Sequence, residues 1–449
     1  MKISFNIIFL LILILPLQHT QASGLTIEQQ RKEFLRIEKL IQRGKYEHFY
    51  QQSKSLKNYP LYPALQYQWL KKHLHQSDKI KAFLKDFAQT RYAGLLNYRW
   101  QLYLARHRQW KQFLQQYSAT KSTRLQCYYY RAKYNTGAKK EALLGARKLW
   151  VVGKSQPDEC NPLFKVFKKS SYFTQEVLWH RFAAALKNKK TSLTKYVKGL
   201  MNRKNQLIAQ HWLKVHNNPA LIKQQNQLTK NTTQAASIFA HGIDRLASTY
   251  YKVAIKTWDT LKNKFHLRPA TIKRIEKRLA MSLAYRRDNR AYQRLTQLKE
   301  PDEVTKEWRV RAALLEQNWH HVKLAITDLS KENQQKDKWQ YWLARASEKT
   351  NRPKVADFIY SKLSSDRSFY GYLSANKLNK DYQLSDHPIQ ISQEMLKQFK
   401  QKTDFRVFTE LLTLDRPKEA KKQWWYALKK LDKQDILTEI GRASCRERV

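Results

Sequence analysis

The sequence predicts an all-α protein built as a TPR-like solenoid of helical hairpins, and three observations predict it. Only ten glycines occur in 449 residues, while Leu, Ala, Lys, Gln and Arg, which favour helix, are abundant. Apolar residues recur at helical rather than strand spacing. Short polar joints separate the helices in pairs at about 30 to 40 residues per pair, the period of helical-hairpin arrays. A hydrophobic fraction of 42% is ample for a core, yet the length exceeds what one compact domain usually holds. An extended array reconciles the two.

Taken in order, the chain opens on a leader. Lys2 supplies a positive start, Ile7 to Leu15 form an unbroken apolar run, and Thr20-Gln21-Ala22 places small residues where a signal peptidase reads. Such a run is too short to span a bilayer. Residues 1–22 are therefore expected to be a cleaved secretory signal, and no later segment approaches a transmembrane span. Joints follow at Arg43-Gly44-Lys45, Asn135-Thr136-Gly137 and Gln317-Asn318-Trp319. The clearest hairpin runs from Cys127 to Tyr134, turns at 135–137, and returns from Lys139 to Trp150. Its Ala142, Ala146 and Trp150 share one face at i, i+4 and i+8, and small residues there let two helices approach. Pro269 marks another helix start, with Ile272, Ile275, Leu279 and Leu283 as its apolar stripe. "NRPKVADFIYSKL" offers Asn351 as a cap with Pro353 in the first turn, and "LDRPKEAKKQWWYALKKL" repeats the grammar with Asp415 and Pro417.

Chemistry-bearing residues are few. With export accepted, Cys127 and Cys160 become candidates for a disulfide, which would contribute roughly 2–4 kcal/mol through the unfolded state. A metal site is the weaker reading. Two cysteines without a nearby His or Cys pair do not make four zinc ligands, and the adjacent His320 and His321 diverge on a helix, as His73 and His75 do. The histidines are expected to be solvated surface residues. The formal net charge is +50, which usually signals a nucleic-acid partner. Export argues against nucleic acid and toward the anionic groups of a cell wall, among them peptide-stem carboxylates. Lysines spread around solvated helix faces are an equally open reading. Tyr128-Tyr129-Tyr130, Trp339 to Trp342 and Trp424-Trp425-Tyr426 could stack on sugars, but aromatics in helical arrays usually pack between helices.

Four motifs add a resemblance. "NYPLYPALQY" (58–67), "CYYYRAKYNTG" (127–137), "LWVVGKSQPDEC" (149–160) and "RSFYGYLSANKL" (367–378) together resemble the N-terminal region of the soluble lytic murein transglycosylases of Gram-negative bacteria. The resemblance covers about residues 25 to 440. It implies a right-handed, ring-shaped α-superhelix, the U-domain, over residues 23–390, followed by part of a helical linker, the L-domain, over 391–440. It also implies a periplasmic location, peptidoglycan glycan strands as the partner with other cell-wall enzymes as further partners, and no cofactor, metal, nucleic acid or stable membrane insertion.

In that family a glutamate of a lysozyme-like domain acts as acid and then base, cleaving the MurNAc–GlcNAc bond to leave a 1,6-anhydro-muramoyl end. The motifs surrounding that glutamate do not occur here. Gly199-Leu200-Met201 is a partial match, but Asn202 follows where the family has glutamine, and the coincidence lies far upstream. No catalytic residue is therefore assigned, the chain is expected to be inactive alone, and "GRASCRERV" (441–449), with the third cysteine, reads as an adaptor-derived tail. A free-standing periplasmic helical-repeat scaffold is the alternative, which the reading frame beyond Gly441 would separate.

Overall fold

The structure, a computed structural model, describes residues 25–431 apart from 46, 48, 224–231 and 385–392. The expected signal segment, the 390/391 domain boundary and the 441–449 tail lie outside the described residues. Among those described there are helices and turns and no strand, as composition and periodicity predict. No described helix is long and apolar enough to cross a membrane.

The chain divides into two compact units, one of residues 1–142 with 388–449 and one of residues 143–387. The first begins with Ile27–Gln42 (α1), Phe49–Gln52 (α2), Tyr62–Leu70 (α3), Ser77–Asp86 (α4), Arg91–Arg106 (α5), Trp110–Gln116 (α6) and Thr123–Asn135 (α7). Helix α8, Lys139–Trp150, carries the boundary. The second unit continues with Asn161–Lys168 (α9), Gln175–Lys187 (α10), Thr191–Gly199 (α11), Arg203–Asn217 (α12), Thr233–Thr249 (α13), Tyr251–Leu261 (α14) and Pro269–Tyr285 (α15). Then come Ala291–Thr296 (α16), Glu303–Leu315 (α17), Trp319–Thr327 (α18), Lys331–Gln334 (α19), Asp337–Lys349 (α20), Pro353–Ser364 (α21) and Phe369–Lys377 (α22). The first unit resumes with Gln393–Gln401 (α23), Thr403–Thr413 (α24) and Pro417–Leu428 (α25).

Packing within each unit follows solenoid grammar. In the first unit α3 touches α4 and α5, and α5 touches α6 and α7. In the second, α13 touches α14 and α15, α15 touches α16 and α17, and α20 touches α21 and α22. Each helix thus buries its stripe against the next and the next but one, so every layer depends on its neighbours. The 139–150 helix obeys the sequence reading: Ala142 and Ala146 are fully buried and Trp150 nearly so. In α15, Ile275, Leu279 and Leu283 are core residues, but Ile272 is 38% exposed and faces a cavity instead.

Helix starts are mostly written in the expected alphabet. Thr26, Thr90, Ser122, Thr174, Asn202, Thr232, Asp302, Asn318, Ser330 and Ser368 each accept a backbone N–H from the first turn. Asn351 and Asp415 depart from their expected role. They are not caps; Arg352 and Arg416 occupy those positions, and Asn351 and Asp415 lie one residue earlier with φ of 56° and 52°. Both end the preceding helix in the left-handed conformation that asparagine and aspartate tolerate better than most residues. The same joint recurs at Gly44, Arg108, Gly137, Lys189, Arg287, Gln317 and Asn379. In each, the next N–H reaches back five residues, as in Asp288 to the Leu283 carbonyl and Arg416 to the Leu411 carbonyl. A chain with few glycines thus turns its hairpins on charged and amide residues.

Candidate functional site

Within the first unit, helices α24 and α25 pack on α1, α3 and their neighbours. Val407, Leu411 and Ala420 enter the same core as Phe34, Ile37, Leu65 and Trp100. Two nearly buried carboxylates fasten this apolar floor. Glu410 accepts from Arg31 Nε at 2.9 Å and Nη2 at 2.8 Å, and from the Tyr59 hydroxyl at 2.9 Å. Glu38 accepts from both Nη atoms of Arg416 and from Gln68. Burial pushes the Glu38 carboxyl up, and Arg416 and Gln68 more than offset it, so it stays below the usual carboxylate range. Tyr59 is pushed up, first by burial and then by Glu410. Paired forks of this kind are strong and directional. The Glu38 fork suits fastening, because a carboxylate held ionised cannot donate a proton to a leaving group.

Toward the end of α25 and just past it, Tyr426 Oη and Lys430 Nζ donate to the Gln89 carbonyl at 2.9 and 2.6 Å, and Gln423 donates to Asp404 Oδ1 at 2.9 Å. Gln423, Lys430 and Asp404 border a cavity of about 720 Å³ whose other wall includes Asn58, Tyr59 and Pro60. Tyr59, one of the fastening residues, comes from a stretch that carries the family resemblance.

The second unit holds a larger cavity of about 1180 Å³, walled by Ile272, Leu298 and Pro301 with Lys273, Lys277 and Glu300 at its margin. At its edge Glu276 accepts from Trp258 Nε1 at 2.7 Å, Lys262 at 2.9 Å and Arg294 at 2.7 Å, while Arg294 also forks onto Asp259 at 2.7 and 2.8 Å. Burial raises the Glu276 carboxyl, and Lys262, Trp258 and Arg294 together pull it below its ordinary value. Asp302, bonded to Lys277 and Thr305, is held down to about 2. Glu303, Glu307 and Glu348 are also lowered. Glycoside cleavage needs a carboxyl held up near neutral pH. Each of these carboxyls is held the other way.

Cys127 lies on α7 and Cys160 in the turn before α9; both are fully buried and both are disulfide-bonded. No group of three or more His, Cys, Asp or Glu residues suited to a metal occurs among the described residues. The histidines correct the sequence reading in part. His321 stacks on Tyr292 at 4.2 Å, and His216 Nδ1 lies 2.9 Å from His241 Nε2. This pair, on α12 and α13, had no signal in the sequence, because its members are 25 residues apart on adjacent helices. The aromatic runs pack as expected: Tyr129 stacks on Tyr117 at 4.3 Å, Trp424 wedges between Phe405 and Phe408, and Trp339 is buried. Trp425 is the exception at 56% exposed.

Two glycines of the resemblance motifs have a steric reason. A Cβ on Gly153 would run into the Ala184 carbonyl of α10, and one on Gly371 into the Asp366 carbonyl at the end of α21. Gly199-Leu200-Met201 merely closes α11.

Fold and site together define a helical-repeat scaffold whose carboxylates brace it. Against known proteins, the chain is homologous over 80% of its length to the soluble lytic murein transglycosylase of Escherichia coli strain K12, at 28% identity over 369 residues. The Salmonella typhimurium LT2 protein of the same name is 26% identical over 366 residues. Each match covers 57% of the relative, so the chain spans little more than half the length of the curated relatives it matches. Among solved structures, lytic transglycosylase Slt of Pseudomonas aeruginosa, an inactive mutant, superposes with a TM-score of 0.81 at 26% identity, covering 93% of this chain and 69% of that one. The complex of a 70-kDa soluble lytic transglycosylase with bulgecin A gives 0.69 at 25% identity, covering 92% and 68%. No family model matches the chain.

Proposed function

We propose that this chain is the superhelical, wall-binding part of a periplasmic peptidoglycan lytic transglycosylase, with residues 23–390 as its U-domain and 391–440 as part of its linker. The enzyme class cleaves the MurNAc–GlcNAc bond to a 1,6-anhydro end in cell-wall turnover. The acid that does so lies outside the described helices. The observation that carries this reading is the coincidence of homology with structural role. The stretches that resemble the family contain the fastening residue Tyr59 and the sterically required Gly153 and Gly371. The depressed carboxyls Glu38, Glu276 and Asp302 support the absence of a catalytic acid from these helices. Export through a cleaved leader, and pairing of Cys127 with Cys160, belong to the same proposal.

Incubation of the exported chain with purified sacculi tests it. The expected result is co-sedimentation in low salt without release of anhydro-muropeptides. Turnover by the chain alone would overturn the assignment of the acid elsewhere, and binding that does not weaken with salt would remove the electrostatic part. Alkylation without reduction is expected to spare Cys127 and Cys160.

A further inference from the structure

The +50 charge is not evenly managed. Between residues 143 and 223 the sequence has sixteen lysines and arginines against three acidic residues, Asp158, Glu159 and Glu176. Among the described residues none of the sixteen makes an ion pair, whereas the stretch from Asp244 to Lys377 is laced with them. Most of the sixteen are exposed, including Lys168, Lys187, Lys189, Lys190, Lys195 and Lys204. Arg181 is buried, and its guanidinium lies 4.3 Å above the Trp150 ring. It donates to the Trp150 carbonyl and leaves Nε without a partner. Burial lowers its pKa to about 10, with no carboxylate to oppose that.

The same layers hold a cleft of about 310 Å³ between α10, α11 and α12. Leu186 and Leu213 form its apolar floor, and Lys195, Lys198, Gln210 and Asn217 present donors around it. Lys198 Nζ is anchored to Gln210 Oε1 at 2.7 Å, which holds the ammonium over the cleft without neutralising it. His216 also lines it, its pKa lowered by burial, Arg245 and Lys189, so at neutral pH it adds polarity and no charge. Apolar floor, fixed ammonium and amide donors form the donor set that recognises a small carboxylate-bearing peptide. The volume suits about two residues of such a peptide, with the remainder of the chain lying over the exposed lysines.

We propose that α10–α12 form a docking site for peptides bearing several carboxylates, with Lys195 and Lys198 as its specific contacts and the surrounding lysines as its electrostatic funnel. Resting on the wall-binding reading, the occupant is the peptide stem of peptidoglycan rather than its glycan. The site would hold the chain to stems while glycan is processed elsewhere.

The test uses the full chain and a fluorescent L-Ala-γ-D-Glu-meso-diaminopimelate tripeptide, with inorganic tripolyphosphate as competitor. K195E/K198E is compared with K252E/K256E, which makes the same charge change on exposed lysines of α14. Circular dichroism verifies that both fold. Expected is a loss of about tenfold or more in tripeptide affinity for the first variant and less than about twofold for the second. Sacculi stripped of stems by an amidase should bind correspondingly less. Equal losses in the two variants would overturn the site in favour of diffuse charge, as would undiminished binding to stripped sacculi. Tripolyphosphate displacing the tripeptide at lower concentration than free tripeptide does would overturn carboxylate preference. If intact sacculi do not bind while the tripeptide does and K195E/K198E weakens it, the wall reading fails and the peptide site stands.

Discussion

Two stretches of the second unit use the same basic alphabet to opposite ends. From α13 to α22 many carboxylates bridge layers: Asp244 to Arg274, Glu276 to Lys262 and Arg294, Glu307 to Lys338, and Glu348 to Lys377. From α9 to α12 the lysines have almost no acids to meet and stand in solvent. Charge is a cross-brace in the first stretch and an open surface in the second. Net charge, summed over the chain, conceals this division. A solenoid makes the division affordable, since each layer depends only on its neighbours.

The largest break in the comparison should come at Glu276. Replacing Glu276 with Ala leaves Lys262, Arg294 and the Trp258 N–H, all drawn to one carboxylate, without it. Stranding the partly buried Lys262 and the Trp258 N–H, and leaving Arg294 with Asp259 alone, is expected to cost about 2–4 kcal/mol. Replacing Lys190 or Lys204 with Ala should change stability by no more than about 0.5 kcal/mol. Urea denaturation of the three variants checks this. Equal effects would mean that the ion pairs of the first stretch are ornamental.

The His216–His241 pair lies where the two stretches meet, on α12 and α13. Burial lowers His241 first, then His216, Arg245 and Arg274 add to it, to about 4. His216 is lowered by burial and by Arg245 and Lys189. A histidine whose folded pKa is depressed favours the fold while neutral, so its contribution is complete above the unfolded value near 6.5 and is lost as pH falls toward 4. The two rings share a hydrogen bond and titrate together. Lowering pH from about 7.5 to about 4.5 should therefore cost up to about 3 kcal/mol, before depressed carboxyls such as Asp302 begin to protonate. His241→Gln should flatten that slope. An unchanged slope would place the acid sensitivity elsewhere.

Much of the fold was legible because it is local. Periodicity, proline starts and polar joints act within one or two turns, and the 139–150 helix was bounded to the residue. Asn351 and Asp415 were misread because an Asn or Asp just before a helix serves equally as the cap of that helix or as the left-handed end of the one before. Only φ distinguishes them. The fastening of the first unit was not legible at all. Glu38 meets Arg416 and Glu410 meets Arg31 across more than 370 residues, and no spacing rule reaches so far. The motif stretches pointed to a family without saying why; Tyr59 and Gly371 supply reasons in a hydrogen bond and a close backbone approach. The cleft at Lys195 was invisible for a related reason, since every lysine of that stretch looks alike in sequence.

A smaller effect separates the joints from the layers. Gln317 has a φ of 53° and an exposed side chain. An L-residue there pays roughly 1–2 kcal/mol in strain, and glycine relieves it while giving back about 0.5–1 kcal/mol in unfolded-chain entropy. Gln317→Gly should thus stabilise by about 0.5 kcal/mol, and Arg287→Gly by a similar amount, both seen as a raised urea midpoint with unchanged slope. Destabilisation would mean that these side chains contribute contacts beyond the joint.

The smallest expected effect is also the one that reads charge management most directly. Unpaired lysines on neighbouring layers repel, and salt relieves repulsion between exposed charges more than it weakens partly buried bridges. In a chain with Lys187, Lys189 and Lys190 changed together to Gln, the rise in stability from about 0.05 to about 0.5 M salt should be smaller than in the parent. The Glu276→Ala variant should instead gain more from salt than the parent, because its stranded Lys262 joins the unscreened cations while Arg294 keeps only Asp259. Identical salt responses in all three proteins would show that the crowding of like charge on α10 and α11 has no energetic consequence, and that the two stretches differ in sequence alone.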